Sequence, residues 1–262
     1  MTIQDALSSS GLEPREARLL LAVASGFSEA TVMTSDNALP GEAETRFAEF
    51  VARRKAGEPV AYILGRKEFY GLELAVNPAV LIPRPETELL VDLSLAKDFD
   101  SAVDLGTGSG AIALALKKHR PQARVVAVES SAAALVVAQR NATRLNVEIE
   151  LRHGHWLEGI EESFDLIVSN PPYVAAGDPH LPELRFEPAG ALVSGADGLD
   201  AVRELAGGAP ARLAAGGWLL LEHGMGQDRA VRELLRAAGL EEVSSWPDLA
   251  GIPRVSGGRR KI

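Results

Sequence analysis

The first seventy positions carry their hydrophobic residues at helical spacing. Ala17, Leu20, Leu21 and Ala24 fall at i, i+3, i+4 and i+7 behind Pro14, and Gly26 closes the run. A proline costs little in a first helical turn, where its missing N–H has no partner to lose, and a glycine ends a helix easily. Phe47, Phe50 and Val51 mark a helix over residues 41–56 stopped by Gly57, and Val60, Ile63 and Leu64 mark a short one behind Pro59. No strand pattern interrupts them, so residues 1–70 read as a bundle of three or four short helices. Such helices bury a thin core, which predicts that they lean on the rest of the chain.

The pattern then changes. Leu72, Leu74 and Val76 alternate with Glu73, Ala75 and Asn77, which predicts a linking strand pair over residues 71–85. Pro85, Glu86 and Glu88 suit the start of a helix. From residue 101 the rhythm is strand, turn, helix: strands over 101–105, 124–128, 147–151, 164–169 and 217–222, helices over 111–118, 132–145, 201–213 and 228–238. This alternation predicts an α/β chain with a doubly wound, mainly parallel sheet and helices on both faces. Ligands of such sheets bind outside the carboxyl ends of the strands. The candidate residues all sit there.

Composition narrows the picture. The 262 residues include 27 Lys and Arg against 36 Asp and Glu, a net charge of −9. That balance disfavours a long nucleic-acid partner, which needs clustered cations. The chain has no cysteine, so it forms no disulfide, thiolate metal site or cysteine nucleophile. No apolar run approaches the ~20 residues of a membrane span. The first residues lack a basic, apolar leader, and the expected location is the cytoplasm.

Three stretches carry chemistry. Gly106, Thr107, Gly108, Ser109 and Gly110 follow the strand ending in Asp104 and Leu105. Glycines there let the backbone turn sharply and approach a ligand. Glu129 ends the next strand, about 20 residues on, where a carboxylate can accept hydrogen bonds from two ribose hydroxyls. Together they define an adenosine-type site, shared by NAD and S-adenosylmethionine. Asn170, Pro171, Pro172 and Tyr173 follow the strand ending in Ser169. The prolines make a rigid segment, Asn170 offers a carbonyl oxygen and Tyr173 a flat face, a pocket suited to a planar –NH2 group.

That tetrapeptide resembles the mark of methyltransferases that act on amino and amide nitrogens with S-adenosylmethionine. Phe69-Tyr70-Gly71, Leu81 to Glu88, Asp104 to Gly110, Asp178-Pro179-His180-Leu181, Arg185-Phe186-Glu187-Pro188 and Leu221-Glu222-His223-Gly224 narrow the likeness. Over nearly its whole length the chain resembles the release-factor glutamine methyltransferases, the PrmC/HemK family. The resemblance implies a class I methyltransferase domain over 86–262, with 1–70 recognising the substrate. It implies S-adenosylmethionine as cofactor and peptide-chain release factors as partners, methylated on the glutamine of their Gly-Gly-Gln loop. It implies no metal and no stable nucleic-acid partner.

By position, Gly106 to Gly110 would line the methionine end of the cofactor, Glu129 the ribose and Trp156 the adenine. Asn170 would touch cofactor and substrate, and Asn170 to Tyr173 would grip the glutamine amide. Glu129 stands where the family often has Asp, and His155 where an acidic residue is usual. Arg84 is expected to hold its loop or to contact a ligand; Arg53, Arg54 and Lys55 form a solvated face or a contact for the protein substrate; His180 and His223 are expected to be structural. The nearest rival is a DNA or RNA base-amine methyltransferase, which would use the same tetrapeptide on a flipped base. An NAD-dependent oxidoreductase or a non-catalytic nucleotide module would leave Asn170 to Tyr173 without a role.

Overall fold

In the computed structural model, which describes residues 1–262, the chain opens with five helices: α1 (Ile3–Ser9), α2 (Pro14–Ser25), α3 (Glu29–Thr34), α4 (Gly41–Lys55) and α5 (Val60–Leu64). They lie in the first of two compact units, Met1–Arg66, the second being Lys67–Ile262. The sequence pattern reveals α2, α4 and α5. α3 buries only Val32, and α1 only Ile3 and Ala6, too little for a readable stripe. A capping box starts α1: the Thr2 hydroxyl accepts from the Asp5 N–H, and the Asp5 carboxylate from the Thr2 N–H, both at 3.2 Å. The buried core of this unit, Ile3, Leu20, Leu21, Val32, Phe47, Phe50 and Ile63 among its members, draws only on its own residues. The basic cluster is largely engaged within the same unit, Arg53 on Glu58 at 2.6 Å and Arg54 on Glu16 at 2.8 Å.

A hairpin comes next, β1 (Arg66–Phe69) and β2 (Leu72–Ala75). Its turn residues, Tyr70 and Gly71, both have positive φ, +50° and +73°, as a tight two-residue hairpin requires. The expected strand pair over 71–85 thus begins earlier, at Arg66. β1 is mostly polar and half exposed, so it shows no alternation. A 3-10 turn over Pro85–Thr87 leads into α6 (Glu88–Leu95).

Then come β3 (Ser101–Leu105), α7 (Ala111–His119), β4 (Arg124–Glu129), α8 (Ala132–Leu145), β5 (Glu150–His153), β6 (Phe164–Ser169), α9 (Asp200–Arg212), β7 (Leu213–Glu222), α10 (Asp228–Ala237), β8 (Glu241–Pro247) and β9 (Pro253–Arg259). The seven-stranded sheet runs β5-β4-β3-β6-β7-β9-β8. β5 to β7 are parallel, while β9 pairs antiparallel with β7 and β8. Alternate residues of each central strand feed two cores: Ala102, Leu166 and Val168 on one face, Val103, Leu105 and Ile167 on the other. β5 begins at Glu150 rather than at 147, because Asn146 caps α8 in the left-handed conformation and Val147 is buried beyond it. β8 and β9 read as polar and glycine-bearing segments, and the pattern does not announce them. No helix is long and apolar enough to cross a membrane.

Candidate active site

The strand order reverses between β3 and β6, leaving a crevice at their carboxyl ends. The glycine loop fills one side of it. Gly106 and Gly108 turn with φ of +74° and +56°, and the Gly106 and Thr107 N–H groups both donate to the Val128 carbonyl, at 2.9 and 3.0 Å. A Cβ on Gly106 would meet the Trp156 ring at 2.9 Å, whereas one on Gly108 would meet nothing within 4 Å. The first glycine permits a close approach and the second opens onto space.

Asp104 braces the loop from beneath. It is fully buried; one oxygen accepts from the Thr107 hydroxyl at 2.6 Å and the Ala113 N–H at 3.2 Å, and the other has no partner. Burial pushes its carboxyl up to about 7, against the pull of those two donors. Asn141 of α8 braces the loop from the side. Its Nδ2 donates to the Ser109 carbonyl at 2.9 Å and the Ala75 carbonyl at 3.0 Å, while its Oδ1 accepts from the Ala75 N–H at 2.7 Å.

A cavity of about 480 Å³ opens above the loop, with Gly106, Thr107, Gly108, Ser109, Glu129 and Trp156 on its walls, and Asn170 and Pro172 opposite. Glu129 Oε2 accepts from the Gly108 N–H and Oε1 from the Ser131 N–H, both at 2.8 Å, so the carboxylate also pins the loop. Trp156 has φ of +46° and is partly packed against the core under the sheet, so it serves wall and core together. His155 approaches Glu204 of α9 at 3.3 Å, and both line the cavity. Glu204 thus brings a carboxylate to the wall on which His155 stands. Gly110 stands apart from the expectation. It caps the start of α7, where a Cβ would meet Leu114 at 3.1 Å and Ala138 at 3.4 Å, and it does not line this cavity.

The tetrapeptide divides between two cavities. Asn170 lines the first and also a second of about 380 Å³, walled by Tyr173, Glu86, Glu222 and Arg254. Pro172 faces the first, whereas buried Pro171 lines neither. Asn170 Nδ2 donates to the Thr87 hydroxyl at 3.1 Å, and its Oδ1, also buried, has no partner. Gln227 Nε2 holds the Tyr173 carbonyl at 3.0 Å. The Tyr173 hydroxyl lies 3.5 Å from Glu222, and burial beside that carboxyl pushes it up to about 12. Glu222, 1 % exposed, is pushed up to about 7 by burial and keeps one oxygen unpartnered.

The loop between β6 and α9 walls both cavities. Val174 bridges to Val193, and Arg84 pairs with Glu187, whose other oxygen accepts from the Ile82 N–H at 3.1 Å. Arg84 thus ties its own loop to this one. His223 is fully buried. Its Nδ1 lies 3.0 Å from the Gly224 carbonyl and so carries the proton, its Nε2 accepts from the Ser256 hydroxyl at 2.8 Å, and burial lowers its pKa. His180 is exposed, with Glu183 only at 3.8 Å, and holds nothing together. Thr87, Glu204, Glu222 and Gln227 escape the sequence reading as site residues, because each reaches the crevice from a distant element.

Comparison with known proteins agrees with this geometry. The PrmC N-terminal domain family matches residues 2–65, and the methyltransferase small domain family matches residues 85–183. A release factor glutamine methyltransferase of Bordetella pertussis is 48% identical, covering 98% of this chain and 98% of its own. One from Xylella fastidiosa is 49% identical, covering 97% and 96%. A crystal structure of a methyltransferase from Pyrococcus furiosus superposes with a TM-score of 0.60 at 21% identity, over 82% of this chain and 100% of that one, a likeness of fold. The chain has the Rossmann-like class I methyltransferase fold behind a small helical unit, and it belongs to the release factor glutamine methyltransferase family.

Proposed function

We propose that this chain transfers a methyl group from S-adenosylmethionine to the side-chain amide nitrogen, N5, of the glutamine in the Gly-Gly-Gln motif of peptide-chain release factors. The observation that carries this reading, beside family membership, is the unpartnered Asn170 Oδ1 at the junction of two cavities. The first cavity fits a nucleoside cofactor. Gly108 leaves open the space a side chain would fill, Glu129 stands at the end of β4, and the Trp156 ring offers a flat wall. The second fits a short planar side chain, with Tyr173 beside Asn170.

When bound, S-adenosylmethionine supplies an electrophilic methyl group on a sulfonium centre. The residues of the chain have the harder task, because an amide nitrogen shares its lone pair with its carbonyl. Asn170 Oδ1 accepts a hydrogen bond from one N–H of the target amide; Pro171 lines neither cavity and holds Asn170 and Pro172 in place from behind. An acceptor so placed orients the amide nitrogen and stabilises the charge that develops on it. Orientation of this kind can supply ~7–11 kcal/mol in well-aligned systems. Glu204, at the wall beside Trp156, is the acceptor proposed for the adenine edge.

The helical unit, residues 1–66, carries none of these features and is assigned to recognition of the release factor. Such a substrate places the chain in the cytoplasm. The test is mass spectrometry of a release factor and of a DNA duplex after incubation with the chain and isotopically labelled S-adenosylmethionine. Label on the glutamine of the release factor alone supports the reading. Label on a base of the duplex replaces it with the base-amine reading.

A further inference from the structure

A buried cavity selects its ligand by the polar atoms it leaves unpaired, and the second cavity leaves two. Three buried side-chain atoms of the chain have no hydrogen-bond partner, and Asp104, which carries one of them, lines neither cavity. The other two are Asn170 Oδ1 and Glu222 Oε2, and both residues line the second cavity. Each side chain has one end held and one end free. Asn170 gives Nδ2 to the Thr87 hydroxyl at 3.1 Å, and Glu222 Oε1 takes the Tyr173 hydroxyl, 3.5 Å away. An amide oxygen only accepts hydrogen bonds, and so does the free oxygen of an ionised carboxyl.

The charges around this cavity are hostile to an anion. Two cations line it, Arg84 and Arg254, and each is already matched, Arg84 by Glu187 and Arg254 by Asp248 at 3.1 Å. Glu86 lines it as well, so the charge left over is negative. The adjacent His223 is turned to Ser256 and Gly224, and burial lowers its pKa, so it brings no compensating proton. Glu222 itself is 1 % exposed, at the end of β7, where water screens it little.

Glutamine and glutamate have nearly the same shape, so packing does not separate them and polar groups must. A primary amide offers N–H groups to both free oxygens. A carboxylate offers none, and two carboxylates in one dry site repel each other. We propose that Glu222 is the residue that selects glutamine over glutamate as the methyl acceptor: its free oxygen accepts an N–H of the target amide and repels a target carboxylate. It is a specificity-determining residue for the proposed methyl transfer, on which this inference rests.

The test is a ratio of affinities. A release factor is prepared with the glutamine of its Gly-Gly-Gln motif replaced by glutamate or by methionine, which is of similar length and uncharged. Binding of each form is measured by calorimetry in the presence of S-adenosylhomocysteine, which cannot give up a methyl group. The measurement is made at pH 8, above the value of about 7 to which burial pushes Glu222. The wild type should bind the glutamate form roughly tenfold or more weakly than the methionine form, the result of setting like charges together. Glu222→Gln should bring the two forms to about the same affinity by strengthening the glutamate form, whereas a merely structural role would weaken both alike and leave the ratio. Glu222→Asp keeps the charge and should keep the rejection. Glu222→Ala removes charge and acceptor together: it should lose the rejection and slow single-turnover methylation of the unaltered release factor roughly tenfold to a hundredfold, the scale of one hydrogen bond to a charged group. Equal affinity of the two forms for the wild type, an unchanged ratio in Glu222→Gln, or a wild-type rate in Glu222→Ala would overturn the proposal. Should Glu222→Gln fail to fold, Glu222→Ala reads the same ratio, and the wild-type preference decides by itself. A wild type that leaves the unaltered release factor unmethylated defeats the proposed function and this inference together; methylation without the preference defeats this inference alone.

Discussion

The two units of the chain treat their polar groups in opposite ways. In the helical unit the buried set is almost wholly apolar, and arginines close on glutamates at the surface. In the sheet unit Asp104, Glu129, Glu187 and Glu222 are all buried near the carboxyl ends of strands or in the loop beside them. The three buried side-chain atoms without a partner, on Asp104, Asn170 and Glu222, all belong to it. An unpaired buried polar atom costs about 1–3 kcal/mol. A fold keeps that cost only where something outside the chain, or a proton, can relieve it. The satisfied unit has closed its chemistry on itself, and the unsatisfied one has left it open at a single edge.

Substitution can break this contrast. The largest effect is expected at Asn170. Asn170→Ala should slow single-turnover methylation by ~10²–10³, or about 3–4 kcal/mol, while the thermal midpoint and the cofactor dissociation constant move little. A wild-type rate would make the tetrapeptide a structural turn. In the helical unit the effect should fall on stability instead. Leu20 is fully buried, and Leu20→Ala should cost about 3 kcal/mol in urea unfolding with unchanged affinity for S-adenosylmethionine by calorimetry. A weaker cofactor would tie the two units more tightly than their separate cores suggest. The smallest of the three belongs to Glu129. Glu129→Ala should weaken cofactor binding by about 2 kcal/mol, the scale of hydrogen bonds to a charged group, and equal affinity would remove it from the ribose site.

Legibility in the sequence tracks the range of the forces involved. β3, α8 and β6 match their expected bounds, because the two strands are apolar runs and α8 an amphipathic one, each closed by a local breaker. β8 and β9 are stabilised by pairing with β7 and carry polar residues and glycines, so their own pattern is weak. The same division runs through the site. The glycine loop, Glu129 and the tetrapeptide are local signals. Thr87 reaches Asn170 across 83 positions, and Tyr173 meets Glu222 across 49, contacts that only the folded chain assembles. Local resemblance also overreaches. Gly110 and Pro171 belong to their motifs and yet stand off the cavity walls, one serving helix packing and the other buried behind the loop.

Asn141 shows how far the crevice extends below its visible surface. Its side-chain amide bonds to both backbone groups of Ala75, as a neighbouring strand would, and to Ser109 as well. The side chain is in effect a spliced-in peptide unit, continuing the edge of β2 into the glycine loop. Aspartate, of the same size, would turn its two donations into lone-pair repulsions, and leucine would leave one N–H and two carbonyls dry and unpaired. A position that touches neither cavity therefore has almost no permitted alternatives. The hairpin becomes the footing of the loop, so that a strain applied at Ala75 is delivered, one amide later, to the wall of the pocket.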